Sequence, residues 1–153
     1  MKVVCFKGRS NPNEIEVGLL DQGLIKVLAL SPQQAQQGLL ALIDLQAQGK
    51  PMPQTAGEVK ADQVQLVAPI PRPRRNIFCV GLNYKPHAKE FTKSGFDAGK
   101  STGAGDLPSD PIIFSKVPET VVGPFDPVRL PETEVSTSID YEAELAVIIG
   151  QTC

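Results

Sequence analysis

Proline decides most about what this chain can become. Fourteen of its 153 residues are proline, and ten of those fall between Pro69 and Pro131. Each removes a backbone donor and clashes with the preceding helical turn, so a helical bundle is excluded over that stretch. Extended segments joined by rigid turns remain. The alternation Pro69-Ile70-Pro71-Arg72-Pro73 favours polyproline geometry and reads as a linker. Arg72, Arg74 and Arg75 make it locally basic. The whole chain, with 15 basic and 17 acidic residues, carries a net charge of −2, which favours a solvated connector over a nucleic-acid patch.

Before the linker, residues 3–6, 15–20 and 24–30 are short apolar runs that predict three strands. Asn11-Pro12-Asn13 and the hairpin-like Asp21-Gln22-Gly23 punctuate them. Ser31-Pro32-Gln33-Gln34 predicts a helix start: Ser31 caps, Pro32 suits the first helical position, and Gln34 completes a capping box. One helix is expected from there to a stop at Gly49, and a further short strand over 64–68. We therefore divide the chain into a small α/β module over 1–68, a linker over 69–75 and a second domain from 76, an α+β organisation overall.

The second part opens on Asn76-Ile77-Phe78-Cys79-Val80-Gly81, a buried strand ending on glycine. A loop running into a short helix follows over 82–91. Residues 92–110 are polar and Gly-rich, which predicts a mobile loop, with 95–105 as its lid-like part. A strand is expected over 111–116, and turns over 117–131. Residues 139–150, IDYEAELAVIIG, give the strongest strand signal in the chain. Such a strand needs partners on both sides, and few strands precede it. The second domain is therefore expected to be incomplete within these 153 residues.

Several classes fall away. The longest apolar runs, such as 145–149, are too short to span a bilayer, and no apolar stretch of signal-peptide length opens the sequence, so a cytoplasmic location is expected. Three cysteines without CxxC spacing and a single histidine, His87, argue against a disulfide framework and a zinc knuckle. Gly95-Phe96-Asp97-Ala98-Gly99-Lys100-Ser101 imitates a phosphate-binding loop. It has three residues where four are required, and no buried strand feeds it.

Two constellations carry chemistry. On a strand, Asp140, Glu142 and Glu144 share one face, and Glu142 and Glu144 have Cα atoms roughly 7 Å apart. A solvated strand face is the ordinary explanation of such a spacing. Both faces turn apolar within a few residues, however, and carboxylates beside a buried region need a cation to remain charged. His87 and Glu90 are neighbours on a helix; a carboxylate beside an imidazole orients it and raises its basicity. A surface ion pair is the alternative for that dyad.

The ordered set of Ala68-Pro69-Ile70-Pro71-Arg72-Pro73, Val80-Gly81-Leu82-Asn83-Tyr84 with His87 and Glu90, Pro111-Ile112-Ile113-Phe114-Ser115-Lys116, and Leu130-Pro131 followed by Asp140-Tyr141-Glu142-Ala143-Glu144 resembles the fumarylacetoacetate hydrolase family. The resemblance runs from about residue 68 to the end, and the module before it suits the variable N-terminal domain of many members. It implies a mixed β-roll catalytic domain, here truncated, and a metal-dependent hydrolase that cleaves a C–C bond in a 2-oxo or β-diketo acid such as an acylpyruvate. Decarboxylases and isomerases of the same family are the alternatives, as is a noncatalytic binding or structural module. By the resemblance Glu142 and Glu144 are two of three acidic ligands to Mg²⁺ or Mn²⁺, with Ca²⁺ also possible. An all-oxygen set favours such hard cations on its own account. His87 and Glu90 match a water-activating dyad, and Lys116 matches a lysine beside the substrate's developing negative charge; an ordinary strand-end lysine is the alternative there. The resemblance further implies a small-molecule substrate and a homodimer, with no nucleic-acid or membrane partner. The third acidic ligand lies beyond these residues, so the 153-residue chain alone is expected to be inactive.

Overall fold

A computed structural model describes residues 2–86, 110–139 and 141–150. It is predominantly antiparallel sheet with few helices. The described residues fall into two compact units: 2–72 with 121–139 and 141–150, and 73–86 with 110–120.

The first unit is built on a five-stranded antiparallel sheet in the order β4-β3-β2-β1-β5. Its strands are β1 (Lys2–Gly8), β2 (Asn11–Asp21), β3 (Leu24–Leu28), β4 (Thr55–Lys60) and β5 (Val64–Val67). Asn11-Pro12-Asn13 is not the turn it suggests. The chain reverses at Arg9-Ser10, and β2 already begins at Asn11, paired with Gly8 across a bulge. The β2–β3 turn is as expected: Gln22 and Gly23 have φ of 45° and 82°, the two positive values that a tight two-residue hairpin needs.

The expected helix also starts as read. Ser31 Oγ accepts from the Gln34 amide at 3.3 Å while Gln34 Oε1 accepts from the Ser31 amide at 3.0 Å. It then breaks into α1 (Pro32–Ala35) and α2 (Leu39–Ala47), because Gly38 between them takes φ 60° and ψ −136°. Gly49, with φ 68°, ends α2 as predicted.

Strand alternation sorts the sheet's side chains. Cys5, Ile15, Val17 and Leu28 meet Leu42 of α2, with Leu39, Leu45 and Val67 packed around them. Phe6 and Ile25 point to the opposite face and are buried there as well. Gly18 makes room for Ile25: a Cβ at position 18 would sit 2.4 Å from Ile25 Cγ2 and 2.8 Å from the Lys26 carbonyl oxygen. A cleft of about 570 Å³ opens on this face, lined in part by Phe6, Glu16, Val27, Gly57 and Val59; it contains none of the residues singled out in the sequence.

The second unit holds an antiparallel ribbon of β6 (Ile77–Gly81) and β7 (Ile112–Lys116), with Ile77 opposite Lys116 and Gly81 opposite Ile112. Both strands form as expected, but β6, read as buried, exposes Phe78, and Ile113 and Phe114 of β7 are exposed as well. The larger correction concerns the end of the chain. Residues 141–150 form no strand, and all are exposed. A strand needs a neighbouring strand to bond its backbone groups in a ladder, and among the described residues none of the strand ladders includes this segment, so its β-pattern alone does not make one.

Candidate functional site

Lys116 is the last residue of β7. Pairing with Ile77 fixes its backbone, Asn76 Nδ2 donates to the adjacent Ser115 Oγ at 3.4 Å, and its side chain is exposed. Lys116 and the β6 strand leading toward Asn83-Tyr84 belong to the 73–120 unit. His87 and Glu90, the lid-like stretch 95–105 and the imitation phosphate loop lie outside the described residues, as does Asp140.

Glu142 and Glu144 belong to the other unit, on the irregular segment 141–150, and both are exposed. The shared strand face inferred from their spacing is therefore absent. Two carboxylates two residues apart still offer the hard oxygen donors that Mg²⁺, Mn²⁺ or Ca²⁺ prefer. Among the described residues no three His, Cys, Asp or Glu side chains converge on one point. The donor chemistry fits a divalent cation, as part of a larger ligand set.

Cys5 is a buried thiol held in place, and its surroundings make it inert. It is 1% exposed, and its Sγ donates to the Pro69 carbonyl at 3.2 Å, a carbonyl that also accepts from the Leu39 amide at 2.8 Å. Burial pushes the thiol up to about 11, and the Leu39 amide offsets only part of that. A reactive cysteine needs the opposite shift. The raised value favours the neutral folded form, so its contribution to stability is complete below about pH 9 and is lost between pH 9 and 11. Two pH units correspond to about 2–3 kcal/mol. Urea unfolding at pH 8 and pH 11 should show that difference between the wild type and Cys5→Ser; equal pH dependence in both would count against it.

Neither Gly38 nor Asp126 stands out in the sequence as more than a helix residue and a turn residue. For Asp126 the run Gly123-Pro124-Phe125-Asp126 holds a turn signal only in its proline at the second position. For Gly38 no local signal separates it from an ordinary glycine.

Comparison with known proteins adds the following. Residues 76–153, just over half of the chain and including all five candidate site residues, match the fumarylacetoacetate (FAA) hydrolase C-terminal family. Over 90 residues the chain is 46% identical to the oxaloacetate tautomerase YisK of Bacillus subtilis, which covers 59% of this chain and 26% of that protein. Over 89 residues it is 40% identical to a human mitochondrial oxaloacetate tautomerase, covering 58% of this chain and 24% of the relative. The matched stretch thus spans about a quarter of the length of each relative. The structure resembles that of an uncharacterised protein from Mycobacterium abscessus with a TM-score of 0.51 over 87% of this chain and 40% of the other, at 20% identity, which is a likeness of fold. No helix among the described residues is long and apolar enough to cross a membrane. With the ordered motifs and the family match agreeing over residues 76–153, the chain belongs to the fumarylacetoacetate hydrolase family.

Proposed function

We propose that this chain forms part of a metal-dependent enzyme that interconverts the keto and enol forms of a small 2-oxo acid of the oxaloacetate type. The observation that carries this reading is the 46% identity to an oxaloacetate tautomerase. Residues from 76 onward would contribute to a β-roll catalytic domain, with 1–68 as an auxiliary module and 69–75 as the connector, in a homodimeric protein of the cytoplasm.

Tautomerisation moves one proton from C3 to the oxygen on C2. His87, oriented by Glu90, would take the C3 proton and pass it to the oxygen on C2, with the same transfer run backward on the reverse path. Lys116 would face the oxygen on which negative charge develops, where a fixed cation is worth most. Glu142 and Glu144 would hold Mg²⁺ or Mn²⁺, with Ca²⁺ as a further candidate; the ion, when bound, supplies Lewis-acid polarisation of the 2-oxo group.

A second reading is C–C bond hydrolysis of an acylpyruvate-like acid, favoured by the resemblance of His87 and Glu90 to a water-activating dyad. The same imidazole would then take its proton from water instead of carbon. Two assays on the full-length protein with Mg²⁺ separate the readings. Tautomerisation predicts rapid decay of enol-oxaloacetate without release of pyruvate or CO₂. Hydrolysis predicts cleavage of acylpyruvates, and decarboxylation predicts CO₂. If none of the three is accelerated by the metal-loaded protein, the noncatalytic alternative stands and the enzymatic reading is overturned.

A further inference from the structure

The chain at 123–126 forms a turn in which one side chain reinforces the closure and reaches the neighbouring strand. The Asp126 amide donates to the Gly123 carbonyl at 3.2 Å, closing the turn through the backbone. In return the Gly123 amide donates to Asp126 Oδ2 at 2.8 Å. The other carboxylate oxygen, Oδ1, accepts from Gln65 Nε2 of β5 at 3.4 Å. Gly123 itself lies close to the strand: a Cβ there would be 3.2 Å from Val67 Cα and 3.4 Å from the Ala68 amide nitrogen. Phe125 has φ 66° in the third turn position, directly after Pro124, the arrangement of a type II turn in which glycine is preferred. A non-glycine residue in this conformation persists where the surroundings over-determine it, and the double closure by Asp126 does so.

From this geometry we propose that Asp126 is a positioning residue: it pins the 123–126 turn to β5 and so fixes where the following chain, with Glu142 and Glu144, leaves the N-terminal sheet. The anchoring stands on the contacts above; only its consequence for metal binding rests on the function proposed for the two glutamates. The N-terminal module then serves as a platform for the acidic segment, and the turn is a joint between them. At the far end of that segment Gly150 reaches α2, where a Cβ would lie 3.6 Å from Ile43 Cγ2, so the chain touches the module at both ends of the 121–150 stretch.

The test compares Asp126→Ala, Asp126→Asn and Gln65→Ala in the full-length protein. Asparagine keeps an acceptor for the Gly123 amide, and Gln65 can turn its own amide to meet it; alanine offers nothing. Asp126→Ala should speed hydrogen exchange at the Gly123 amide and tryptic cleavage after Arg129 by about tenfold each. Exchange in β1, β2 and β3 should stay unchanged, and Asp126→Asn should restore both rates to within about threefold. Gln65→Ala should speed the cleavage while leaving the Gly123 amide protected. Mn²⁺ affinity, followed by electron paramagnetic resonance, should fall about tenfold in Asp126→Ala with the sheet intact, which a purely structural turn would not cause. Unchanged exchange and cleavage in Asp126→Ala, or an Asparagine variant no better than the alanine one, would overturn the anchoring. Faster cleavage with unaltered Mn²⁺ affinity would overturn the positioning role. A wild-type protein that binds no Mn²⁺ overturns the functional reading, while exchange and cleavage still decide the anchor.

Discussion

Gly38→Ala is expected to destabilise the protein by roughly 3–5 kcal/mol, a large share of the 5–15 kcal/mol that holds a typical domain folded. Two costs combine. At φ 60° and ψ −136° the backbone occupies a region closed to residues with a Cβ, a penalty of about 1–3 kcal/mol. The new methyl carbon would also lie 2.4 Å from the Pro69 carbonyl oxygen, 2.7 Å from Pro71 Cδ and 3.1 Å from Cys5 Sγ. The linker would have to move away. Displacing Pro69 removes the acceptor shared by the Leu39 amide and the Cys5 thiol, each bond worth about 1 kcal/mol. Urea unfolding followed by circular dichroism measures the total. A loss below about 1 kcal/mol would mean that the linker does not bear on this glycine.

That glycine also marks where sequence reasoning stops. The Ser31–Gln34 capping box, the Gln22-Gly23 hairpin and the Gly49 helix stop are written into a few neighbouring residues, and each forms as read. Gly38 sits mid-pattern in an apparently continuous helix. Its backbone is dictated by Pro69 and Pro71, some thirty residues later, which no local pattern announces. β4 escapes for a related reason. Thr55 to Lys60 shows no apolar alternation, and only Val59 among its six residues is even half-buried. It is an edge strand made by pairing with β3, and its register lies in the partner. Residues 141–150 are the converse case. Their sequence has every mark of a strand, yet strand formation is a property of a paired ladder, and these residues form no strand.

The candidate site divides along the same line. The strand expected over 111–116 forms as β7, with Lys116, singled out by the family resemblance, at its end. The assignment of Glu142 and Glu144 to one face depended on the strand period and lapses with the strand. What survives is their chemistry and their closeness in sequence: flexible side chains two residues apart can reach one cation from an irregular backbone as well as from a regular one.

Glu142→Gln and Glu144→Gln, made separately in the full-length protein, should each lower Mn²⁺ affinity on the order of 100-fold and turnover of the 2-oxo acid with it. Glutamine keeps the length and shape of the side chain and removes its charge, so the loss isolates the anionic donor. A charged contact of this kind is worth about 1.5–3 kcal/mol, which is the energy of a tenfold to hundredfold change in binding. Stability should hold, because both side chains are exposed and carry none of the core around Cys5, Val17 and Leu42. Removing a surface charge ordinarily moves stability by less than about 0.5 kcal/mol. Isothermal calorimetry with Mn²⁺, paired with thermal melts of the same samples, separates the two effects. If the two carboxylates hold one ion, the double variant should lose little more than either single one, since removing the first already breaks the shared set. Independent losses that simply add would point to two separate weak contacts, and unaltered affinity in both single variants would take the metal away from this segment.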